Sequence, residues 1–565
     1  MTKKALTVIL SLILLLPVLI YFTVWNYYAI NIPKWDDHAF KAFIIEYSQA
    51  ADWKGELRAL LRQHNEHRIV LTRIFAWLDF WIFGSLNYKH LMICGNLLLI
   101  GVIPLWFELL KKNKKPLFAL LPVPFLWLTL AFWENMYWGM SAVQNFGVVT
   151  LTLWTMFLCV KPKTLPFVIS LFLAVLTMLT SGNGLLVLPL GALLLFLSGD
   201  RKRFAIWILW SGAAVFGYFS TYEKFDNNPV TRAGVFQLIK GYMSFLGSFA
   251  ESFPVLDHFK VCFFLGIVLF FVAVSIVSTT LFRIVRNKYT NKFEKTTDLF
   301  CLGTVLFILG TALIVVYSRA GFGIETLVTS RYKIYSVLLL LVAYLYVVIP
   351  IRGSFLTPYI TAIVFLAVVF NVFSYHYHLV DAYNLRKMLV TAQFNSTFTD
   401  KSLHYPADTS FAANIVEKTP VIYDKWLSLI SIADRQNYAG GSRGMVELFD
   451  NTTFKKGEKS LLVENNLFSS QRLQDSGVYV LLSSKDRYYI FPAYRTRNKS
   501  RKELFLKQYY FSKGFYADIP FTEPIEKGVY NVALIRQDGD NTGILFKDEK
   551  ITINPIKANK VRVNW

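Results

Sequence analysis

The chain has 565 residues, 54% of them hydrophobic and 16% aromatic, with a mean hydropathy of +0.41 and a formal net charge of +22. That apolar share exceeds what a soluble globular protein carries, and the length accommodates a membrane domain plus one soluble domain. A basic excess in such a chain belongs with cytoplasmic loops and anionic lipid, so membrane lipid is an expected partner and nucleic acid is not. The four cysteines, Cys94, Cys159, Cys262 and Cys301, lie in or beside apolar runs without any CxxC pair. Neither a disulfide framework nor a cysteine metal site follows from them.

The N-terminal stretch MTKKALTVILSLILLLPVLIYFTVW has a basic start and an apolar run close to a full span, with no clear small-x-small cleavage site, which predicts an uncleaved first helix. Further apolar runs follow at 87–110, 116–133, 145–160, 165–181, 184–199, 204–221, 258–282, 299–317, 335–350 and 354–374, so with 5–27 the expectation is about eleven spans. The connectors KKNKK (111–115), KPK (161–163), DRKR (200–203), RIVRNKYTNKFEK (283–295) and IRG (351–353) all fall on the side of Lys3 and Lys4. Positive charge stays inside, which places the N-terminus in the cytoplasm. The opposite face receives 28–86, 134–144, 181–184, 222–257, 318–334 and everything after about 375. Function is expected on that outer face, because the cytoplasmic loops are short and basic. Residues 1–375 are therefore read as a polytopic α-helical membrane domain, with 28–86 as its first outer loop.

That loop opens on NIPKWDDHAF, which sets Asp36 and Asp37 side by side at the membrane edge. Phe40, Phe43, Ile44 and Tyr47, and then Leu57, Leu60, Leu61 and His64, have the spacing of two amphipathic helices lying along the interface. One aspartate serves as an N-cap, and either can fill that role. The other is left near the headgroups, where desolvation raises a carboxylate towards the range of a general base. Farther on, HNEHR (64–68) flanks Glu66 with His64 and His67 and is followed by Thr72 and Arg73. If Asp37 folded back towards His64 and His67, a divalent cation such as Mg²⁺ or Mn²⁺ would find ligands; equally, Glu66 pairs with Arg62 or Arg68.

Three later outer loops carry further polar chemistry. FWENMYWGMSAVQN (132–145) mixes Trp133, Tyr137 and Trp138 with Glu134, Asn135 and Gln144, a combination suited to sugar and also found in interfacial belts. SGNG (181–184) offers Asn183 between two glycines that would let the backbone approach a ligand. SRAGFGIETLVTSRYKIYS (318–336) holds Arg319, Arg331 and Lys333 against the positive-inside trend. An arginine at headgroup depth grips a substrate phosphate by bidentate hydrogen bonds, or snorkels to ordinary lipid. After the last span, 376–440 reads as a helical connector and 441–565 as a small β-sandwich-like domain, with SGVYVLLSS and RYYIFPAYR, then GVYNVALIRQ and ILFKDEKITI, as hairpin strands. Alternation in VYNVALI suggests one buried face. A lid and a glycan-contacting module are both open as its role.

With about eleven spans, a long first outer loop, the acidic motif WDDHAF just after the first span, and an outer C-terminal domain, the chain resembles membrane glycosyltransferases of the GT-C fold. The resemblance covers the first 375 residues; the β-rich region is not part of the general fold. NEHRIVLTR together with SGNGLLVLP is also similar to bacterial envelope proteins that modify O-antigen or other surface glycans, including serotype-converting glucosyl transferases. The resemblance implies a bacterial inner-membrane enzyme with a periplasmic C-terminal domain. It would move a sugar such as glucose, with inversion, from polyprenyl (undecaprenyl) phosphate to lipopolysaccharide or another lipid-linked glycan acceptor. Asp36 or Asp37, rather than Glu66, would be the catalytic base, and Arg331 with Lys333 or Arg319 would hold the donor phosphate. His64, His67, Arg68, Glu134, Asn135, Trp138 and Asn183 would contact substrate. The rival reading, a transporter or flippase of a lipid-linked glycan, predicts mid-span charges or paired interrupted helices, and the sequence has few of the former and no clear repeat. A membrane-anchored glycan-binding module ranks third, since an anchor needs far fewer spans.

Overall fold

The computed structural model describes residues 2–223, 233–253, 257–289, 292–399, 426, 443–485, 487–522, 525–539 and 541–556. Most of the expected connector, from 400 to 442 with the exception of Trp426, lies outside the described residues, as does part of the 222–257 loop.

All eleven apolar runs are helical, and eight stretches are long and apolar enough to cross a membrane: Lys4–Tyr28, Tyr88–Lys112, Leu117–Met136, Gly139–Cys159, His258–Val285, Phe293–Phe322, Ile324–Val348 and Gly353–Asn395. The chain is thus helical and membrane-compatible over its first two thirds, with eight rather than eleven such elements among the described residues. Thr164–Met178 and Gly182–Ser198 are shorter apolar helices. Arg201–Phe219 opens on Arg201, Lys202 and Arg203, which shortens its apolar part. One helix, Val235–Leu246, was not expected. It packs against His258–Val285 through two glycines, where a Cβ on Gly266 would lie 1.7 Å from the Met243 carbonyl oxygen and one on Gly247 2.0 Å from that of Cys262. Backbone contact of this kind requires the smallest residue at both positions. Gly266→Val is expected to abolish recovery of folded protein in detergent, read by size-exclusion chromatography and thermal unfolding, whereas Val268→Ala on the exposed side of the same helix should leave both unchanged.

The stretch Leu117–Met136 is broken. Pro122 and Pro124 begin the short helix Pro122–Trp127, which ends at Leu128. Backbone freed at membrane depth must find partners inside the protein. Asn371 supplies them, its amide nitrogen donating to the carbonyls of Phe125 (2.7 Å) and Leu128 (3.0 Å). Beyond the break, short turns over 130–138 and a single π-turn, Ala142–Phe146, build a compact polar shelf before the next apolar helix, Gly147–Cys159.

In the first outer loop the two amphipathic helices form as Ala39–Ser48 and Trp53–Leu61, with Phe43, Ile44 and Ala59 buried against Trp77 and Phe80. The second helix stops at Leu61, before the expected His64. Gln63–His64 (β1) and His67–Arg68 (β2) form a two-residue hairpin whose Asn65 is left-handed, φ 49°. Arg68 donates to the Leu61 carbonyl, and Arg73 donates to those of Leu60 (3.1 Å) and Arg62. Cations on orphan carbonyls are a favourable helix end.

The C-terminal region is β-rich, as expected. Thr452–Lys456 (β3), Ser460–Asn465 (β4) and Phe515–Pro520 (β7) make one antiparallel sheet in the order β3-β4-β7. Gly477–Ser483 (β5), Tyr488–Pro492 (β6), Gly528–Asp538 (β8) and Asn541–Ile553 (β9) make the other, in the order β6-β5-β8-β9. Val478, Val480, Leu482, Val532 and Leu534 share a core with Leu461, Val463 and Ile519 of the facing sheet. The alternation was read as one buried face, but both are buried, because Tyr479, Leu481, Ala533 and Ile535 pack into the membrane-domain core instead. The covering element is the last helix, Leu356–Thr399, which runs 44 residues without interruption past the expected boundary at 375. Its Lys387 is buried and donates to the carbonyls of Val478 (2.8 Å) and Ala493 (2.7 Å). Arg386 clamps Asp475 through two 2.7 Å bonds and also reaches the Tyr28 and Ala29 carbonyls at the end of the first helix (3.4 Å each). The β-rich region is fastened to the end of the helices at which the first helix terminates.

Candidate functional site

Residues 29–34 are buried and lead from the first helix into the turn Trp35–His38. Within that turn the two aspartates part company. Asp37 is fully buried, and its two carboxylate oxygens accept separate backbone amides, Lys34 N–H at 3.0 Å and Met140 N–H at 2.6 Å. It is the third residue of the turn and bonds back to the amide of Lys34, the residue that precedes the turn, so neither aspartate is the expected N-cap; it also ties the first outer loop to the 132–145 loop. Asp36 accepts no side-chain hydrogen bond among the described residues and is only half-buried. Burial raises its carboxyl above the usual range, and the nearby Arg331 charge partly holds it down.

Arg331 stands in a chain of charges. Glu134 is the centre of it: Oε1 lies 3.1 Å from the Lys34 ammonium and Oε2 3.5 Å from Arg331 Nε. Three indoles surround the pair. Lys34 Nζ sits 4.4 Å from the Trp35 ring, 4.8 Å from Trp138 and 5.9 Å from Trp133, while the Arg331 guanidinium is 5.5 Å from Trp138. The carboxylate satisfies the buried lysine, yet Arg331 Nε is buried without a hydrogen bond and its other nitrogens make none among the described residues. A guanidinium held in place with its donors unspent is suited to an incoming oxyanion. Trp35, beside Asp36, takes the left-handed conformation at φ 46°, rare for a bulky residue, with its ring edge-on to Trp138 at 5.2 Å.

Of the expected residues, Asp36, Glu134, Trp138 and Arg331 therefore meet in one cluster. Asn135 is fully buried, donating to the Arg331 carbonyl (3.0 Å) and accepting from Ser141 and Asn145, so it fixes the shelf rather than touching substrate. Lys333 turns away and pairs with Glu251. Arg68 donates to Tyr218 O and Thr221 Oγ1 at 2.8 Å each and is buried, which makes it a strut. Glu66 pairs with neither Arg62 nor Arg68 but lies 4.0 Å from Arg319, bringing the first outer loop against the 318–334 loop. Arg62 is taken by Glu46 at 2.7 Å. Asn183 donates to Tyr335 Oη (2.7 Å), whose ring stacks on Phe245, which in turn meets Tyr332 next to Arg331. The flanking glycines serve packing: a Cβ on Gly182 would be 3.1 Å from His67 Nδ1, and one on Gly184 2.1 Å from the Thr177 carbonyl.

Burial pushes His64 down to about 3 and lowers His67 as well, which favours the uncharged ring at each. Asp37, His64 and His67 do not converge, and among the described residues no three His, Cys, Asp or Glu side chains are grouped to hold a metal ion. Lys34 and Trp35 escaped the sequence reading. Lys34 carries the same sequence signal as Arg331, a basic residue in a loop expected on the outer face.

Burial pushes the Asp37 carboxyl up to about 7, against the two amides that favour its charged form. The unfolded chain has the ordinary carboxyl near 4, so the folded state holds the proton more tightly, and the stability from this linkage is present below about 4 and lost as pH rises through 7. Thermal unfolding of the detergent-solubilised protein is expected to show this loss between about pH 4 and 7, and Asp37→Asn should flatten it. The same substitution sets an amide N–H against the Lys34 or Met140 N–H and costs about 1–3 kcal/mol.

No protein-family model, no curated protein and no solved structure matches the chain.

Proposed function

We propose that this chain is a membrane glycosyltransferase of GT-C type that moves a sugar from polyprenyl phosphate to a cell-envelope glycan on the outer face of a bacterial inner membrane. The observation that carries the reading is the proximity of a partly desolvated carboxylate, Asp36, to a positioned arginine, Arg331, which is ion-paired to Glu134 through Nε and whose Nη donors make no hydrogen bond among the described residues, inside a wall of indoles. Asp36 takes the proton of an acceptor hydroxyl. The acceptor oxygen bonds to the anomeric carbon as the carbon–oxygen bond to phosphate breaks, and the leaving polyprenyl phosphate carries away the electron pair beside Arg331. A single displacement inverts the anomeric centre. Lys34 and Glu134 hold Arg331 in register, the tryptophans offer faces for the sugar, and the bilayer confines both lipid-linked reactants to one plane. The donor sugar, with glucose as the first choice, and an O-antigen or lipopolysaccharide acceptor belong to the same reading.

The test is release of polyprenyl phosphate by purified protein in proteoliposomes, from a panel of polyprenyl-phosphate sugars with envelope glycolipid as acceptor. Turnover of at least one donor that requires acceptor is expected; a panel left untouched removes the proposal.

A further inference from the structure

The C-terminal domain carries an apolar, basic projection that no part of the described chain covers. Between β6 and β7, the helix Arg501–Lys507 presents Phe505 and Leu506 at 78% and 75% exposure, the largest values for large hydrophobic side chains among the described residues of the C-terminal region. Around them the stretch 497–513, RNKSRKELFLKQYYFSK, holds six basic residues and one acidic one, Glu503. That glutamate is engaged locally, accepting from Asn498 Nδ2 (3.1 Å) and lying 3.6 Å from Lys507.

Both ends of the projection are pinned at one level of the molecule. The Arg497 guanidinium is 3.5 Å from the Tyr377 ring centroid, and Tyr510 Oη donates to the His376 carbonyl (2.9 Å) while accepting the Val380 amide (2.9 Å). That level is the outer edge of the bilayer. From Leu356 to His376 the last helix rises about 30 Å, the thickness of the hydrocarbon core. Among the described side chains of that helix, Val372 is the last large apolar one that is exposed. Tyr377 also meets His258, 3.2 Å from hydroxyl to Nε2, and His258 opens the span His258–Val285. Two membrane helices leave the apolar layer where the projection is anchored.

We infer that the segment 498–513 is a membrane-surface foot, in which Phe505 and Leu506 enter the headgroup layer and Lys499, Arg501, Lys502, Lys507 and Lys513 engage anionic phospholipid of the chain's own bilayer. Short basic helices with exposed aromatic and aliphatic residues bind in this way, through apolar burial plus attraction to anionic headgroups. The foot holds the β-domain at a fixed height over the 132–145 and 318–334 loops. It does not depend on which group the membrane domain transfers.

The full-length protein, labelled at Leu506→Cys with an environment-sensitive fluorophore and reconstituted in nanodiscs, tests this directly. Unsubstituted protein labelled in parallel corrects for the half-exposed Cys94. A quencher carried on the lipid near the headgroup is expected to reduce emission at least about twofold in discs containing anionic lipid, and less in zwitterionic discs or high salt. Lys499→Gln, Arg501→Gln, Lys502→Gln and Lys507→Gln together, all on exposed positions, should lessen the quenching with the melting temperature unchanged. Quenching by aqueous iodide but not by lipid would place the helix in water and overturn the inference. Protection from both quenchers would mean that protein, a second copy or a partner, covers the helix, and would overturn it equally.

Discussion

Asp36→Asn is expected to lower sugar transfer by about 10³-fold while leaving the yield and melting temperature of the protein unchanged, whereas Asp37→Asn is expected to destabilise the protein first. The asymmetry follows from hydrogen bonding rather than position. Asp37 spends both oxygens on backbone amides and is fully buried, so its loss opens the contact between the first outer loop and the 132–145 loop. The Asp36 carboxylate accepts no hydrogen bond among the described residues. A carboxamide at 36 keeps shape and polarity but cannot accept a proton. Equal loss of activity with equal loss of stability in both variants would mean that neither aspartate is the base.

Arg331→Ala should cost about 10²–10³-fold in kcat/KM, with most of the loss in kcat, because the positive charge is needed where negative charge grows on the departing phosphate. It should also move the acid limb of the pH profile. The base works deprotonated, so activity falls as pH drops through the Asp36 pKa, which burial raises and Arg331 partly restrains. Removing the guanidinium lifts that restraint and shifts the limb to higher pH. Arg331→Lys is expected to keep the limb near its original place yet recover only part of kcat, since an ammonium restores charge but not the planar pair of donors. Glu134 is the poorer target, because its loss strands the buried Lys34 ammonium and a folding defect would mask any catalytic one.

Much of this arrangement is legible in the sequence. Charge asymmetry between loops gives an expected outer face, and Arg331 and Lys34 both stand out as basic residues that run against it. Of the two adjacent aspartates one is structural and one is not, neither is the expected N-cap, and the local sequence does not say which is which. The decision rests on the Met140 amide, more than a hundred residues away in sequence. The span count is less legible, because apolar composition is shared by helices long enough to cross a membrane and by shorter apolar helices such as Thr164–Met178. The two-sided burial of β5 could not be read from alternation, since Tyr479 and Leu481 are apolar enough to be buried but only the 44-residue helix shows against what. Arg68 and Lys333 looked like ligand-binding cations because their partners, the Leu61 and Tyr218 carbonyls and Glu251, are brought to them only by folding.

The most direct measurement follows a polyprenyl-phosphate sugar, with its anomeric carbon isotopically labelled, in proteoliposomes that also hold envelope glycolipid. Glycosyl transfer is expected to deliver the label into the glycolipid with inverted configuration, release polyprenyl phosphate in equal amount, and vanish in Asp36→Asn. If the donor instead crosses the bilayer intact and no glycosidic product forms, the chain is a transporter of lipid-linked sugar and the catalytic assignment of Asp36 and Arg331 is wrong.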